Sequence, residues 1–107
     1  MALKKLIFAG SSRGDLRHFP SEVRYAIGVE LMRVQCGLMP TDYKPMSTVG
    51  AGCYEIRVRV GGAWRVIYVA KFESAIYVLH AFRKKTQQTA KADIELAAKR
   101  YRAIAGD

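Results

Sequence analysis

The sequence predicts an α+β fold, in which a small, mainly antiparallel sheet of one N-terminal strand and three C-terminal strands is packed by two N-terminal helices and a C-terminal helix. Apolar and polar residues alternate in three successive runs between Cys53 and Thr86, which is the period of a strand. Apolar residues recur at three- and four-residue spacing in 23–34 and in 94–104, which is the period of a helix. Separate groups of strands and helices are typical of the α+β class.

The N-terminal half is predicted to contain one strand and two helices. Residues 6–8 form a short strand at a sheet edge, ended by a glycine and serine turn. Residues 15–19 form one or two helical turns, which Pro20 stops. A longer helix begins at Pro20 or Ser21 and ends at Gly37.

The longer helix carries two apolar stripes. The first is predicted to face the core and consists of Val23, Ala26, Ile27, Leu31 and Val34. The second consists of Tyr25, Val29, Met32 and Cys36. Either the helix is sandwiched between two layers, which we favour, or it keeps the second stripe for another protein. Residues 38–52 hold two Pro and two Gly and are predicted to form a connecting loop.

Residues 54–60 are predicted to form a strand with one apolar and one charged side, because strand side chains alternate. The apolar side carries Tyr54, Ile56, Val58 and Val60. The charged side carries Glu55, Arg57 and Arg59. This strand is therefore expected to be half-buried.

The turn after this strand decides where Arg65 points. A two-residue turn of the two glycines would put Arg65 on the apolar face, where an unpaired charge is costly. A three-residue turn, residues 61–63, pairs Arg65 with Arg59 and is therefore predicted. Arg57, Arg59 and Arg65 then share one face, where like charges are destabilising unless an anion lies between them.

A four-residue turn, residues 71–74, is predicted next and pairs Arg65 with His80. His80 and Phe82 then join the cationic face. The apolar face gains Tyr77, Leu79 and Ala81. The far end of the cationic face, expected to be covered, holds Ile67, Val69, Ile76 and Val78.

The chain ends in a predicted amphipathic helix that Thr89 caps. Its apolar face consists of Ile94, Ala97, Ala98, Tyr101 and Ile104. Its outer side carries Lys91, Lys99, Arg100 and Arg102.

Length and charge narrow the class of protein. The 107 residues are long enough for one core, so a single domain over residues 1–107 is expected. The net charge of +9 indicates a polyanionic or acidic partner. Cys36 and Cys53 lack zinc-type spacing, so neither a metal nor a cofactor is expected. Apolar runs are too short for a membrane span and no signal peptide is visible, which predicts a cytoplasmic protein with no membrane partner.

The cationic face combines groups that metal-free RNA cleavage uses. Such a reaction deprotonates a 2′-hydroxyl, stabilises the phosphorane charge and protonates the leaving 5′-oxygen. Arginines, a histidine and an aromatic ring are suited to these tasks and to base stacking. Nothing resembles a carboxylate cage for Mg²⁺, which disfavours a two-metal nuclease.

Three groups on or beside this face have alternative interpretations. His80 is either catalytic or a structural hydrogen-bonding histidine. Glu55 is either a proton acceptor or, as we favour, one half of a surface ion pair with Arg57 or Lys71. The lysines at positions 84 and 85 either belong to the site or are solvated charges.

Three motifs resemble a known family. They are Tyr54-Glu55-Ile56-Arg57, Arg65-Val66-Ile67-Tyr68 and His80-Ala81-Phe82-Arg83-Lys84-Lys85-Thr86. Their order resembles the HigB-like, phage-derived branch of the RelE/ParE toxin superfamily from residue 5 to residue 104. The resemblance implies a RelE-like fold and the toxin of a type II toxin-antitoxin module, a metal-independent endoribonuclease that cleaves mRNA on the ribosome. It also implies a cognate helix-turn-helix, HigA-like antitoxin as partner.

The resemblance carries over to individual residues. The basic positions of the family's second strand match Arg57 and Arg59, the arginine of its third strand matches Arg65, and its last basic group matches Lys84 or Lys85. Together with the cationic face, this predicts as catalytic Arg57, Arg65, His80 and Lys84. It predicts as RNA-binding Arg59, Lys71, Phe82, Arg83 and Lys85.

The chain also departs from the family pattern. RelE has a lysine where this chain has Glu55, and a C-terminal tyrosine near the position of Ala90. The HigB-like branch has a lysine and a proline near Gln88 and Ala90. The proton-transfer scheme of RelE therefore cannot be copied, and His80 and Lys84 become the candidates. The alternative function is a non-catalytic, phage-derived binding module whose basic face docks an acidic protein or nucleic acid.

Overall fold

A computed structural model describes residues 3–105 and contains five strands and three helices within them. In chain order they are β1 (Lys5–Phe8), α1 (Ser12–Arg17), α2 (Ser21–Gln35), β2 (Tyr43–Pro45), β3 (Cys53–Arg59), β4 (Ala63–Val69), β5 (Ala75–Lys84) and α3 (Lys91–Ile104). The strands form one sheet in the order β1-β5-β4-β3-β2, in which β1 runs parallel to β5 and the other neighbours are antiparallel. The predicted α+β class is confirmed. Between residues 3 and 105, no helix combines the length and apolar character that a bilayer crossing requires.

The N-terminal elements follow the prediction closely. β1 lies at a sheet edge, and α2 begins directly after Pro20. The helix stops before Gly37, whose φ of +85° is the left-handed conformation that favours glycine after a helix. α1 begins three residues earlier than predicted, because the Ser12 hydroxyl donates a hydrogen bond to the Val78 carbonyl and holds the first turn on β5.

β2 lies inside the segment that was predicted to be only a loop. It pairs with the outer edge of β3, where Lys44 lies opposite Glu55. The Asp42 carbonyl also accepts a hydrogen bond from the Arg57 amide at 3.0 Å. Three residues ending in Pro45 are too few to show a strand period, so the prediction was wrong here. The short strand satisfies backbone groups that β3 would otherwise expose.

The β3–β4 hairpin confirms the predicted faces but not the predicted pairs. Arg57 lies opposite Arg65, and Arg59 lies opposite Ala63. The three turn residues are therefore 60–62, since both glycines have positive φ, +59° and +146°. Because the register differs from the prediction by two positions, every side chain keeps its predicted face.

The β4–β5 pairing contains a bulge that the sequence did not reveal. Tyr68 pairs with Val78 and Ile67 with His80, so Leu79 is an extra residue. The bulge reverses the faces of the residues before it. Four residues consequently lie on the face opposite to the one predicted: Ile76, Tyr77, Val78 and Leu79.

The sheet is packed on both faces, and each face has its own core. α1 and α2 cover the first face, whose buried residues include Ile27, Leu31, Ile56, Val66 and Tyr68. α3 covers part of the opposite face, where Ala97 contacts a cluster that includes Cys53, Ile67, Val69 and Leu79. The far end of the cationic face is thus covered, as expected. The near end remains open.

The second stripe of α2 is exposed, so the sandwich that we favoured is wrong. Tyr25 is 77% exposed, Met32 49% and Val29 44%. α2 packs on the sheet with one side only, and α3 lies beyond the opposite face of the sheet. Within the described residues, no helix or strand covers this stripe.

The start of α3 also differs from the prediction. Thr89 makes no capping hydrogen bond and instead donates its hydroxyl to Glu55 Oε2 at 2.6 Å. Arg100 does not lie on the outer side of the helix, because its guanidinium donates to the Leu79 carbonyl at 2.9 Å. Both contacts fasten the helix and its leading segment to the sheet.

Candidate nucleic-acid interface

An open groove of about 410 Å³ lies over the part of the sheet that α3 leaves uncovered. Such a volume is within the usual range of ligand sites, roughly 300–1,000 Å³. We call it the cationic groove, and its lining residues are Arg57, Arg59, Ala63, Arg65, Lys84, Lys85, Thr86 and Gln87. The structure therefore brings together five of the predicted site residues, from three adjacent strands and the segment after β5.

Arg65 forms the floor of the cationic groove and is only 1% exposed. Its Nη1 donates a hydrogen bond to the Trp64 carbonyl at 3.0 Å. Its Nε and Nη2 have no hydrogen-bond partner among the described residues. Burial, and then the charges of Arg57 and Arg59, lower the pKa of Arg65, while Glu55 opposes the change. A buried guanidinium whose Nη2 has no hydrogen-bond partner, at the base of a groove, is suited to hold an anionic oxygen.

Glu55 is buried, with 2% exposure, and its carboxylate holds three segments together. Its Oε1 lies 3.6 Å from Arg65 Nε, and its Oε2 accepts the Thr89 hydroxyl. The predicted surface ion pair with Arg57 or Lys71 is therefore wrong. The segment between β5 and α3 folds over the carboxylate, and Arg65 is the cation within reach.

Arg57 and Lys84 form the accessible walls of the cationic groove. Arg57 Nε lies 3.9 Å from Asp42 Oδ1, and both side chains are partly exposed, so the pair holds Arg57 only weakly. Partial burial and the charges of Arg65, Arg57 and Lys44 lower the pKa of Lys84, which Glu55 partly offsets. A lysine with a lowered pKa gives up its proton more readily than an ordinary one.

His80 lies beneath the surface and does not line the cationic groove. It is 6% exposed, and its Nε2 lies 2.7 Å from Asp93 Oδ1. Its ring stacks on Phe82 at a centroid distance of 4.7 Å, and Phe82 is itself buried opposite Arg65. The predicted Arg65–His80 pair is thus replaced by Arg65 and Phe82, a difference of two positions along β5, of which the bulge accounts for one. Neither ring is open for stacking by a base.

Lys71 and Arg83 lie away from the cationic groove. Lys71 Nζ donates a hydrogen bond to the Tyr101 hydroxyl at 2.6 Å, at the end of the sheet that α3 covers. Arg83 stacks over the Trp64 ring at 5.3 Å on the opposite face. β5 continues to Lys84, so alternation directs Arg83 and Lys84 to opposite faces. The structure therefore does not bring these two predicted RNA-binding residues to the cationic groove.

Three residues that shape this region were not predicted. Asp93 binds His80, Thr89 binds Glu55, and Lys44 lies opposite Glu55 on β2. An acid in the first turn of α3 was visible in the sequence, but its partner depends on how the helix packs. Within residues 3–105, no cluster of three or more His, Cys, Asp or Glu residues could hold a metal ion.

Comparisons with known proteins agree with this architecture. The family model described as phage-derived protein Gp49-like (DUF891) matches residues 14–102. Among solved structures, a mutant of the Escherichia coli toxin RelE in the free state matches with a TM-score of 0.66 and 20% identity. The match covers 96% of this chain and 99% of that chain, and it confirms the predicted RelE-like fold. No curated protein sequence gives a significant match.

Proposed function

Because the chain belongs to the Gp49-like family of phage-derived proteins, we propose that it is the toxin of a type II toxin-antitoxin module. In this proposal the toxin is an endoribonuclease that cleaves mRNA in the cytoplasm without a metal ion. The observation that supports this most directly is the cationic groove. There Arg57, Arg59, Arg65, Lys84 and Lys85 converge on one open surface of a RelE-like fold.

In the proposed reaction, the 2′-hydroxyl oxygen attacks the adjacent phosphorus. The O2′–P bond forms, the P–O5′ bond breaks, and the products carry a 2′,3′-cyclic phosphate and a 5′-hydroxyl. The 2′-hydroxyl proton leaves to solvent, to which the groove is open, and Lys84 gives a proton to the 5′-oxygen. Arg65 and Arg57 stabilise the charge that grows on the phosphate oxygens. Arg59 and Lys85 hold the RNA backbone.

His80 has a positioning role in this proposal. Its ring lies between the Asp93 carboxylate and Phe82, and Phe82 lies opposite Arg65. The three side chains therefore join the first turn of α3 to the strand that bears Lys84. Because His80 does not line the cationic groove, we assign proton transfer to Lys84.

Cleavage of mRNA on translating ribosomes tests the proposal. Purified protein, freed of antitoxin, is expected to cut mRNA in the presence of a chelator and to leave cyclic phosphate ends. Arg57→Ala should slow the cutting by about 10²-fold, since one transition-state contact is lost. Lys99→Ala, which removes an exposed charge from the outer side of α3, is the matched control. Intact mRNA together with tight RNA binding would instead favour the non-catalytic binding module.

We further propose that the antitoxin, a helix-turn-helix protein from the neighbouring reading frame, binds the exposed stripe of α2. A groove of about 480 Å³ runs along this stripe, lined by Tyr25, Gly28, Val29, Met32, Arg33, Cys36 and Leu38. Exposed anchors at four- and three-residue spacing fit an amphipathic partner helix. The net charge of +9 favours acidic residues at the rim of that helix.

Met32→Glu should weaken antitoxin binding by about 2 kcal/mol or more, because it places a negative charge at the centre of the apolar contact. Titration of toxin with antitoxin by calorimetry measures the loss. Ala103→Glu, at an exposed position of α3, is the control and should bind normally. Unchanged binding by Met32→Glu would contradict this site and would indicate that the antitoxin binds the cationic groove instead.

A further inference from the structure

A second groove lies beside the cationic groove. It has a volume of about 380 Å³, and its lining residues are Lys44, Pro45, Met46, Ser47, Thr48, Gln88, Thr89 and Ile94. We call it the flanking groove. β2 and the turn after it form one wall, and the segment before α3 together with its first turn forms the other.

The two grooves are joined by one set of contacts. Thr89 lines the flanking groove and donates its hydroxyl to Glu55, which pairs with Arg65 on the floor of the cationic groove. Gln87 lines the cationic groove and Gln88 the flanking groove. Lys44 lies opposite Glu55 in the β2–β3 pairing, so their side chains share a face of the sheet. An extended chain in one groove can therefore continue into the other.

The chemistry of the two grooves differs in a useful way. The cationic groove presents positive charges, which are suited to bind phosphate groups. Contacts to phosphate carry no sequence information. The flanking groove presents the exposed hydroxyls of Ser47 and Thr48 and the exposed amide of Gln88, whereas the Thr89 hydroxyl is already bonded to Glu55. Amides and hydroxyls both donate and accept, as recognition of a base edge requires. Ile94, which is only partly buried, adds apolar surface for the face of a base.

We propose that the flanking groove holds the nucleotide next to the cleaved phosphate and reads its base. Gln88 and Thr48 hydrogen bond to the base edge, and Lys44 binds the phosphate of that nucleotide. The inference rests on the proposed ribonuclease function. It assigns base preference to the turn after β2 and the segment before α3, and backbone binding to the cationic groove together with Lys44 on β2.

Mapping of cleavage sites tests base reading. Wild-type protein and the variants Gln88→Leu and Thr48→Val cut the same pool of transcripts, and all new ends are sequenced. The preference at one nucleotide beside the cut should fall about tenfold in each variant, since one hydrogen-bonding group is removed. A preference equal to that of the wild type in both variants would overturn the proposal.

Salt dependence tests the role of Lys44 separately. The probe is a short single-stranded RNA with 2′-O-methyl groups, which cannot be cut. Lys44→Ala should lower the slope of log affinity against log salt by about 0.7, the loss of one phosphate contact, and Lys99→Ala should not. An unchanged slope for Lys44→Ala counts against the subsite. If the wild-type protein neither cuts nor binds RNA, the proposed function itself fails. If the wild-type protein cuts RNA but the variants behave like it, only the flanking-groove subsite fails.

Discussion

Replacing Lys84 with methionine is expected to lower the rate of mRNA cleavage by about 10²–10⁴-fold, the usual contribution of a general acid. Methionine has a similar length but neither charge nor proton. Lys84 is partly buried at the end of β5 and lines the cationic groove beside Arg57 and Arg65. Lys99→Met, which removes an exposed lysine from α3, should cleave at the wild-type rate.

The pH dependence of the rate separates proton transfer by Lys84 from simple charge. The protonated amine is the active form, so the rate should fall as pH rises through the pKa of Lys84. Burial and nearby cations lower this pKa from 10.5, so the fall comes at a lower pH than an exposed lysine would give. Arginine keeps the positive charge but does not release its proton in this pH range. The residual cleavage rate of Lys84→Arg should therefore not fall as the pH rises. An identical profile in Lys84→Arg would show that another group donates the proton.

Strand alternation was sufficient to place the arginines of the cationic groove. Arg57 and Arg59 share a face because they lie two residues apart on one strand. Arg65, on the next strand, lies on the same face because an even shift of register leaves its side chain on that face. The two consecutive glycines allow the three-residue turn to begin at Val60 or at Gly61, and sequence alone does not distinguish these. Shared faces were therefore predictable, and cross-strand partners were not.

Contacts between residues that are far apart in the chain could not be predicted from the sequence. The bulge at Leu79 depends on packing between β4 and β5 and has no glycine to mark it. The burial of Glu55 depends on Thr89, which lies 34 residues away in the chain. β2 is too short to show a period, so both Lys44 and the flanking groove were missed. Each of these features results from contact between distant segments.

The position at which β5 ends determines on which face of the sheet Arg83 lies. A strand ending before the basic cluster would leave all three cations free to share a surface. β5 instead extends through Lys84, which directs Arg83 onto Trp64 on the opposite face. Arg83 therefore packs against Trp64, whereas Lys84 and Lys85 line the cationic groove.

Replacing Arg65 with methionine is expected to reduce the free energy of unfolding by about 3–5 kcal/mol, because the buried Glu55 carboxylate loses its cation. Thr89 alone would then hydrogen bond to that charge. Urea denaturation measures the loss. Arg57→Met is the control and should cost less than about 1 kcal/mol, since its pair with Asp42 is exposed and 3.9 Å long.

The double variant Glu55→Gln with Arg65→Met separates the structural role of Arg65 from its chemical role. Removing both charges should recover part of the loss, with a coupling energy of about 1–3 kcal/mol between the two positions. The glutamine oxygen can still accept the Thr89 hydroxyl. Cleavage should nevertheless remain lost, because the groove floor no longer offers a guanidinium to the phosphate. Recovery of both stability and cleavage would mean that Arg65 serves only to neutralise Glu55.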